Sequence, residues 1–280
     1  MTLYNSIGQN YNRTRQADSR IVDRLIGLLN LPRGSTIADV GAGTGNYSNA
    51  IARRGYRVVA IEPSEVMQNQ RQAHPHVSWL TAAAEQIPLP DDAVDGAVVM
   101  LALHHFNNIE QGISEINRIV ATGKIVIFAF EQNKIPDFWL ADYFPDFIND
   151  TLDTFPSTKK ISQIFSQITQ KEVEIIPFLL PPDLKDLFAA AGWCKPEIYL
   201  KPEIRNGIST FNKMPVENVK AGISRLATEL DNGVWQQKYG YLLQQDYFDA
   251  GYRILTSDPQ PPKEAKSQQS CDDGATRRSA

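Results

Sequence analysis

Cysteines and long apolar runs are both scarce in this chain of 280 residues. The two cysteines, Cys194 and Cys271, are too few and too far apart for a disulfide scaffold or a cysteine-based zinc site, which favours a reducing compartment. No apolar run reaches the ~18–20 residues that cross a bilayer, and residues 1–15 lack the apolar segment of a secretory signal. These absences predict a cytoplasmic protein with no membrane partner and no metal site.

An excess of charge of one sign is also missing. The 28 Lys and Arg residues nearly balance the 32 Asp and Glu residues, which leaves a formal net charge of −4. A general electrostatic affinity for nucleic acid is therefore not expected. Hydrophobic residues make up 42% of the chain, so a sizeable core can be buried and a wholly disordered chain is excluded.

Short apolar segments alternate with helical patterns in the first half of the chain. We predict strands at 36–40, 57–61, 77–80, 93–101 and 124–130. Apolar residues at helical spacing predict helices at 19–29, 46–54, 63–72 and 109–120. This alternation predicts an α/β protein whose parallel sheet is covered by helices on both faces.

The alternation stops after Glu131. Two further strands are predicted at 172–178 and 252–256. Helices are predicted at 145–153, 158–169, 181–191, 196–212, 215–230 and 234–250. Residues 258–280 are rich in proline and polar side chains and are predicted to be disordered.

A glycine-rich loop follows the first strand. Gly41, Gly43 and Gly45 alternate with small residues, and a predicted helix begins at Asn46. Glycine permits positive φ and close approach of a ligand to the main chain, and the helix N-terminus adds unpaired N–H groups. Glu62 ends the second strand, where a carboxylate can accept hydrogen bonds from a ribose diol. Together these features predict an adenosine-type ligand.

The spacing of the loop argues against two other nucleotide-binding motifs. A dinucleotide loop of the G-x-G-x-x-G type requires a third glycine at position 46, where this chain has Asn46. A Walker loop requires Gly-Lys-Ser/Thr, which the loop lacks. An NAD(P)-dependent oxidoreductase is therefore only a remote alternative.

Four segments in order resemble the class I S-adenosylmethionine (SAM)-dependent methyltransferases of the small-molecule type (methyltransferase domain 11/25-like). Asp39–Gly45 resembles motif I of that family, and Ala60–Ser64 is similar to the segment that follows it. Ala84–Asp95 resembles the stretch leading into the fourth strand, and Leu103–Phe106 matches the segment after that strand. The resemblance covers about residues 35–130. It implies a doubly wound, Rossmann-like, mostly parallel seven-stranded sheet, and the long helical stretch before the last strand indicates an inserted helical cap.

The resemblance also implies SAM as the cofactor. In the family's pattern Glu62 binds the ribose hydroxyls, Ala84 and Glu85 close over the adenine, and Asp39 supports the loop or meets the amino group. Arg15 pairs with the SAM carboxylate or is only a solvated charge. The implied cofactor-binding residues are Tyr4, Tyr11, Arg15, Asp39, Gly41, Ala42, Gly43, Glu62, Pro63, Ser64, Met67, Ala84, Glu85 and Leu101.

Two adjacent histidines are the candidates for catalysis. His104 and His105 follow the fourth strand, at the edge of the sheet where open α/β folds bind ligands. An acceptor that loses a proton needs a base, and histidine is the usual one near neutral pH. We favour His105 slightly and keep His104 as the second candidate. The alternative is that both order the loop structurally.

These features predict a methyltransferase that transfers the methyl group of SAM to a small organic acceptor by in-line displacement. We expect residues 1–178 and 251–257 to form the SAM-binding domain, and residues 180–250 to form a cap on the substrate side. Residues 258–280 form the tail. The protein is expected to be a monomer or a homodimer. A non-catalytic SAM-binding protein of the same fold is the main alternative.

Overall fold

The computed structural model describes residues 11–257, apart from the side chains of Tyr11 and Arg13. Within them lies one seven-stranded sheet, as predicted. The strands are β1 (Thr36–Val40), β2 (Arg57–Ile61), β3 (Val77–Leu80), β4 (Gly96–Met100), β5 (Ile125–Phe130), β6 (Val173–Pro177) and β7 (Tyr252–Ser257). The predicted tail, 258–280, and the predicted site residue Tyr4 lie outside the described residues.

The sheet order is β3-β2-β1-β4-β5-β7-β6. The first five strands run parallel, and β7 inserts antiparallel between β5 and β6. The chain changes direction across the sheet between β1 and β4. In open α/β sheets the crevice at such a reversal, beyond the carboxyl ends of the strands, is where ligands bind. The glycine loop and the two histidines both follow strands at this point.

Helices cover both faces of the sheet and continue beyond it. The α-helices are α1 (Tyr11–Thr14), α2 (Ser19–Leu29), α3 (Asn46–Ala52), α4 (Glu65–Gln68), α5 (Ile109–Ile119), α6 (Leu140–Tyr143), α7 (Asp146–Thr154), α8 (Thr158–Thr169), α9 (Pro202–Asn206), α10 (Ser209–Lys213), α11 (Val216–Asp231) and α12 (Val234–Tyr239). Short 3₁₀ helices span Leu103–His105, Gln132–Asp137, Pro196–Leu200 and Gly240–Gln244.

Strand β5 shows how the sheet divides the core into two layers. All six of its residues are buried, and alternate side chains point to opposite faces. Val126, Phe128 and Phe130 join the core that contains α2 and the cap. Ile125 and Ile127 join the core that contains α5 and α8. The continuous apolar strand predicted from the sequence is therefore buried on both faces.

The helical cap draws on two segments of the chain, because α6 and α7 precede β6 whereas α9 to α12 follow it. The indole nitrogen of Trp139 donates a hydrogen bond of 2.8 Å to the carbonyl of Trp193. Gly222 in α11 lies so close to α6 and the residue after it that a Cβ there would sit 2.4 Å from the Phe144 ring. Most of the cap's aromatic side chains therefore form its core, as Trp193 and Trp235 do.

The prediction of a helix at 181–191 was wrong. The structure has turns there and an isolated antiparallel bridge between Asp186 and Arg15. Pro181 and Pro182 disfavour helical geometry at the start of the segment. The backbone N–H of Leu187 then donates to the carbonyl of Thr14, so the segment's hydrogen bonds go to the N-terminal part of the chain.

Three other predicted helices are shorter than expected. The predicted helix at 63–72 keeps only α4, and that at 196–212 breaks into one 3₁₀ helix followed by α9 and α10. The predicted helix at 234–250 ends as α12 and a 3₁₀ turn. None of the helices in residues 11–257 has the length and hydropathy needed to cross a membrane.

Candidate functional site

The glycine loop passes from β1 to α3 with three residues in the left-handed region, φ +76° at Gly41, +57° at Gly43 and +78° at Gly45. At Gly41 a Cβ would lie 2.4 Å from the Cβ of Ala102, which follows β4. Only glycine fits both this φ and this close approach. The loop therefore packs directly against the segment that carries the histidines.

Glu62 lies at the end of β2 and is held by two backbone donors. Its Oε2 accepts a hydrogen bond of 2.9 Å from the N–H of Gly43, and its Oε1 accepts one of 2.9 Å from the N–H of Ser64. Burial raises the pKa of this carboxyl, against the lowering effect of the two backbone hydrogen bonds. The carboxylate is fixed in orientation and keeps lone pairs with which it can accept hydrogen bonds from a diol.

Asp39, in β1, is buried and only half satisfied. Its Oδ2 accepts a hydrogen bond of 2.5 Å from the hydroxyl of Ser48, whereas no hydrogen-bond donor of the described residues reaches its Oδ1. Burial, with a smaller contribution from the charge of Glu62, raises its pKa to about 6. A buried carboxylate oxygen without a donor is costly, so this atom suits a ligand that brings a cationic N–H group.

The N-terminal segment is tied onto the glycine loop by Asn12, a residue that the sequence reasoning missed. Its Oδ1 accepts hydrogen bonds from the hydroxyl of Thr44 and, at 2.9 Å, from the amide of Asn46. Its own amide donates to the carbonyl of Gln70 at 2.9 Å. The available sequence signal was Asn46 itself, which occupies the third glycine position of a dinucleotide loop and here holds the N-terminal segment instead.

Arg15 is positioned by a carboxylate from a distant part of the chain. Its Nε lies 2.6 Å from Oδ1 of Asp186, which is almost completely buried. The hydroxyl of Tyr47 donates to the other oxygen of Asp186 at 3.0 Å. Asp186 is a second residue that the sequence reasoning missed, because it lies in the segment that was predicted to be helical.

Leu101, just past the end of β4, lines three neighbouring cavities and a fourth, very small one of about 10 Å³. The large cavity, about 280 Å³, extends past Glu62 and Met67. The polar cavity, about 50 Å³, lies beside Asp39 and Arg15. The apolar cavity, about 80 Å³, is lined by aromatic and aliphatic residues and also contacts Arg15.

Most of the predicted cofactor-binding residues line the first two of these cavities. Those at the large cavity are Gly41, Gly43, Glu62, Pro63, Ser64, Met67, Ala84, Glu85 and Leu101. The polar cavity adds Arg15, Asp39 and Ala42. Tyr4 and the side chain of Tyr11 lie outside the described part of the chain.

Leu101 itself has an unusual backbone. Its φ of +49° is in the left-handed region, which non-glycine residues adopt at a cost. Its N–H donates to the carbonyl of Phe128 at 2.9 Å, which keeps it in register with β5. The turn at Leu101 redirects the chain into the 3₁₀ helix that carries both histidines.

The two histidines point into different cavities. His105 lines the large cavity, whereas His104 lines the apolar cavity. Desolvation lowers the pKa of His104 well below its usual value, with the charges of His105, Lys213 and Arg15 adding to the effect. Surrounding protein atoms, and to a lesser degree Lys213, lower the pKa of His105 to about 4. Both rings are therefore neutral at pH 7, and His104 is the one on the apolar side.

The side chains at these cavities suit the chemical groups of SAM. The carboxylate of Glu62 suits the ribose, the unpaired Oδ1 of Asp39 suits an ammonium group, and Arg15 suits a carboxylate. Leu101 lines all three cavities, and Arg15 lines both the polar and the apolar cavity. The site therefore offers adjoining places for a nucleoside, for an amino acid and for a second, apolar molecule.

Comparison with known proteins agrees with this geometry. Residues 38–128 match the model of a family described as "Methyltransferase domain". The chain is 46% identical to a putative methyltransferase from an antibiotic biosynthesis pathway of Anabaena variabilis, whose crystal structure superposes with a TM-score of 0.85. That match covers 88% of this chain and 99% of the other.

Curated relatives match over a smaller part of their length. The chain is 28% identical over 159 residues to an uncharacterized methyltransferase of Mycobacterium bovis, a match that covers 56% of this chain and 65% of the relative. It is 30% identical over 114 residues to a ubiquinone/menaquinone biosynthesis C-methyltransferase of Rubrivivax gelatinosus, covering 40% of this chain and 44% of the relative. The match to the Anabaena protein thus covers a larger share of both chains than the matches to these curated relatives.

Proposed function

Because the chain belongs to the class I SAM-dependent methyltransferase family, we propose that it binds SAM and transfers a methyl group to a small organic acceptor. The observation that carries this proposal is the meeting of the large, polar and apolar cavities at Leu101. A methyl donor that spans the first two would have its reactive centre beside the third. Proximity of this kind is the main contribution that a protein makes to such a transfer.

The large cavity would hold the adenosine part of SAM. Glu62 would accept hydrogen bonds from the ribose hydroxyls, in an orientation that Gly43 and Ser64 already fix. Met67 and Ala84 are buried and would border the adenine. Glu85 accepts a hydrogen bond of 3.0 Å from the backbone N–H of Asn108, which fixes its carboxylate at the rim of this cavity.

The polar cavity would hold the amino-acid part. Asp39 would bind the ammonium group, and Arg15 would bind the carboxylate while Asp186 keeps the guanidinium in place. When bound, SAM supplies an electrophilic methyl group on a sulfonium sulfur, and the protein need not activate it further. Leu101 and the glycine loop then exclude water between the cavities.

The apolar cavity would receive the methyl acceptor. We propose that residues 180–250, together with α6 and α7, form the acceptor side of the protein. His104, rather than His105, is the histidine that lines this cavity, so we propose His104 as the base or the hydrogen-bond acceptor. The sequence slightly favoured His105 as the catalytic base, and that prediction stays untested. The cavity lining favours His104 for this role.

Isothermal titration calorimetry with SAM and S-adenosylhomocysteine (SAH) tests the proposal. We expect micromolar binding of both. Glu62→Gln should weaken SAH binding by ~10- to 100-fold, because a hydrogen bond to a charged group contributes about 1.5–3 kcal/mol. Glu65→Gln, a nearby exposed position, is the matched control and should leave binding unchanged.

Two results would overturn the proposal in different ways. Absence of SAM and SAH binding would reject the cofactor. Binding without methyl transfer to any acceptor would favour the alternative, a non-catalytic SAM-binding protein of the same fold.

A further inference from the structure

The apolar cavity restricts the chemistry of the methyl acceptor. Resting on the proposed function, we propose that the acceptor is a compact, uncharged ring compound that presents a hydroxyl group to His104. Three independent features support this assignment: the charge of the cavity wall, the shape of its aromatic surfaces and the position of its polar atoms.

The charge of the wall argues against an ammonium acceptor and against a carboxylate acceptor. None of the described residues that line the apolar cavity carries a carboxylate, so an ammonium group would find no counter-ion. With SAM bound, Arg15 would be paired with Asp186 and with the SAM carboxylate, and Lys213 pairs with Asp150, so a carboxylate acceptor would find no available cation. Burial of an uncompensated charge of either sign would be costly, which leaves an uncharged molecule.

Four aromatic side chains form one connected part of the wall, since Phe130 also packs edge to face on Tyr252. Phe130 and Phe155 pack edge to face with ring centroids 5.6 Å apart, and Phe188 and Tyr252 lie 4.3 Å apart. All four rings line the cavity. Aromatic surfaces of this kind favour a guest ring, because stacked and edge-to-face contacts add to the burial of apolar area.

The size of the cavity limits the guest. Its volume is about 80 Å³, whereas an engineered apolar cavity that binds benzene in another protein measures about 150 Å³. One ring would therefore also use the adjoining space at Leu101, which opens to the other cavities. A second fused ring would require the cap to move.

The polar side chains that line the cavity are Arg15, His104, Thr151, Ser209, Thr210 and Tyr252. Arg15 pairs with Asp186, Thr210 donates its hydroxyl to Asp150 at 2.7 Å, and Tyr252 is hydrogen-bonded to the backbone of Ala190, which leaves Thr151, Ser209 and His104 to meet a guest. The ring of His104 packs in tilted contacts against His105 and Phe155, with ring centroids 3.8 Å and 4.1 Å apart. A neutral imidazole in this position can accept a hydrogen bond from a hydroxyl group.

These groups account for every bond and for the proton in a methyl transfer to a hydroxyl oxygen. The acceptor oxygen forms a bond to the methyl carbon, and the bond from that carbon to the donor's sulfur breaks with its electron pair left on sulfur. The hydroxyl proton passes to His104, which returns it to water because its imidazolium form is disfavoured. A phenolic or enolic hydroxyl suits this step, since it is more acidic than an alcohol.

Binding of model compounds to the SAH complex tests the inference. We would titrate phenol, benzylamine, benzoate and 2-naphthol into protein saturated with SAH at pH 7. Phenol should bind at least ~10-fold more tightly than the other three. Tighter binding of benzylamine, benzoate or 2-naphthol, or no binding of phenol, would overturn the inference. Failure of SAH itself to bind would instead reject the proposed function and this inference with it.

Two variants test whether phenol binds in the apolar cavity. Ala189 lines the apolar cavity, so Ala189→Leu should weaken phenol binding at least ~10-fold while SAH binding stays within twofold. The control is Ala221→Leu, which adds the same side chain at an exposed position of α11. Equal phenol binding by the two variants would contradict the assignment of the cavity.

The rate of methyl transfer to phenol tests the role of His104. His104→Asn should keep phenol binding within threefold but slow methyl transfer to phenol by ~100-fold or more, the usual contribution of a general base. A proportional loss of binding and turnover would indicate a structural role only. His105→Asn, on the large cavity, is the comparison for that measurement.

Discussion

The large cavity and the apolar cavity share Leu101, yet the chain builds them in different ways. The large cavity is lined by three short stretches that each follow a strand, namely 41–43, 62–67 and 82–85, together with 100–107. The apolar cavity collects residues from the N-terminal segment, from the ends of β4, β5 and β7, and from several cap segments. Local motifs therefore determine the first cavity, whereas long-range packing determines the second.

The polar cavity combines local motifs and long-range packing, because a residue of the glycine-loop motif and a residue of the cap both line it. Asp39 belongs to the strand before the glycine loop, whereas Asp186 arrives from a segment about 150 residues later in the chain and holds Arg15. At the polar cavity, Asp186 links the two regions through its ion pair with Arg15 and its hydrogen bond from Tyr47. This contrast leads to three predictions, from the largest expected effect to the smallest.

Removal of Asp186 should show the strongest coupling between the two regions. Asp186→Ala eliminates a buried carboxylate that pairs with Arg15 and accepts from Tyr47, so we expect the free energy of unfolding to fall by ~3–5 kcal/mol. SAH binding should weaken as well. Urea denaturation and calorimetry measure both effects.

The matched control for that experiment is Asp183→Ala. Asp183 pairs with Arg20 at the surface, and such exposed pairs often contribute nothing measurable. Similar stability of the two variants would mean that the cap and the cofactor side are not coupled through Asp186.

Substitution in the glycine loop should test the locally encoded region. Gly41→Ala combines a strained φ, costing about 1–2 kcal/mol, with a clash against Ala102, costing about 1–3 kcal/mol. Gly34→Ala has a similar φ of +88° but open space around it, so it should show the first cost only. Thermal unfolding compares the two. Equal destabilisation would indicate that the loop can move away from Ala102.

The smallest expected effect is a pH dependence set by Asp39. Its pKa in the folded protein, about 6, is above the ordinary value of 3.8, so the protonated form is favoured by folding. Stability should therefore decrease as the pH rises from about 4 to about 6. SAH affinity should change in the opposite direction, because the ammonium group needs the ionised carboxylate.

Calorimetry at several pH values measures this second effect. Between pH 7 and pH 5 we expect SAH affinity to fall by up to ~10-fold, since most of Asp39 is protonated at pH 5. Asp39→Asn should bind SAH weakly and with a flatter pH profile. An unchanged profile in Asp39→Asn would assign the titration to Glu62, whose pKa is also raised.

The sequence predicted the sheet, and the positions of the glycine loop and Glu62 along it, because these signals are local. Strand β5 was recognisable as a continuous apolar run, and Gly41 and Glu62 lie at fixed offsets from strand ends, where a parallel sheet brings them together. By contrast, Asn12 and Asp186 carry no local pattern, since an isolated polar residue is usually solvated. The helix predicted at 181–191 does not form, because this segment makes hydrogen bonds to Thr14 and Arg15 instead. Helix propensity takes no account of partners so distant in the chain.

The amino-acid sequence by itself determined the sheet, the glycine loop and the family, since these follow from hydrophobic periodicity and from residues a few positions apart. Only the tertiary structure decided which histidine lines which cavity, because the turn at Leu101 and the contact of His104 with Phe155 place the two rings at different cavities. It also decided the composition of the apolar cavity. That surface exists only where the N-terminal segment, the sheet edge and the cap pack together, and no local stretch of sequence encodes it.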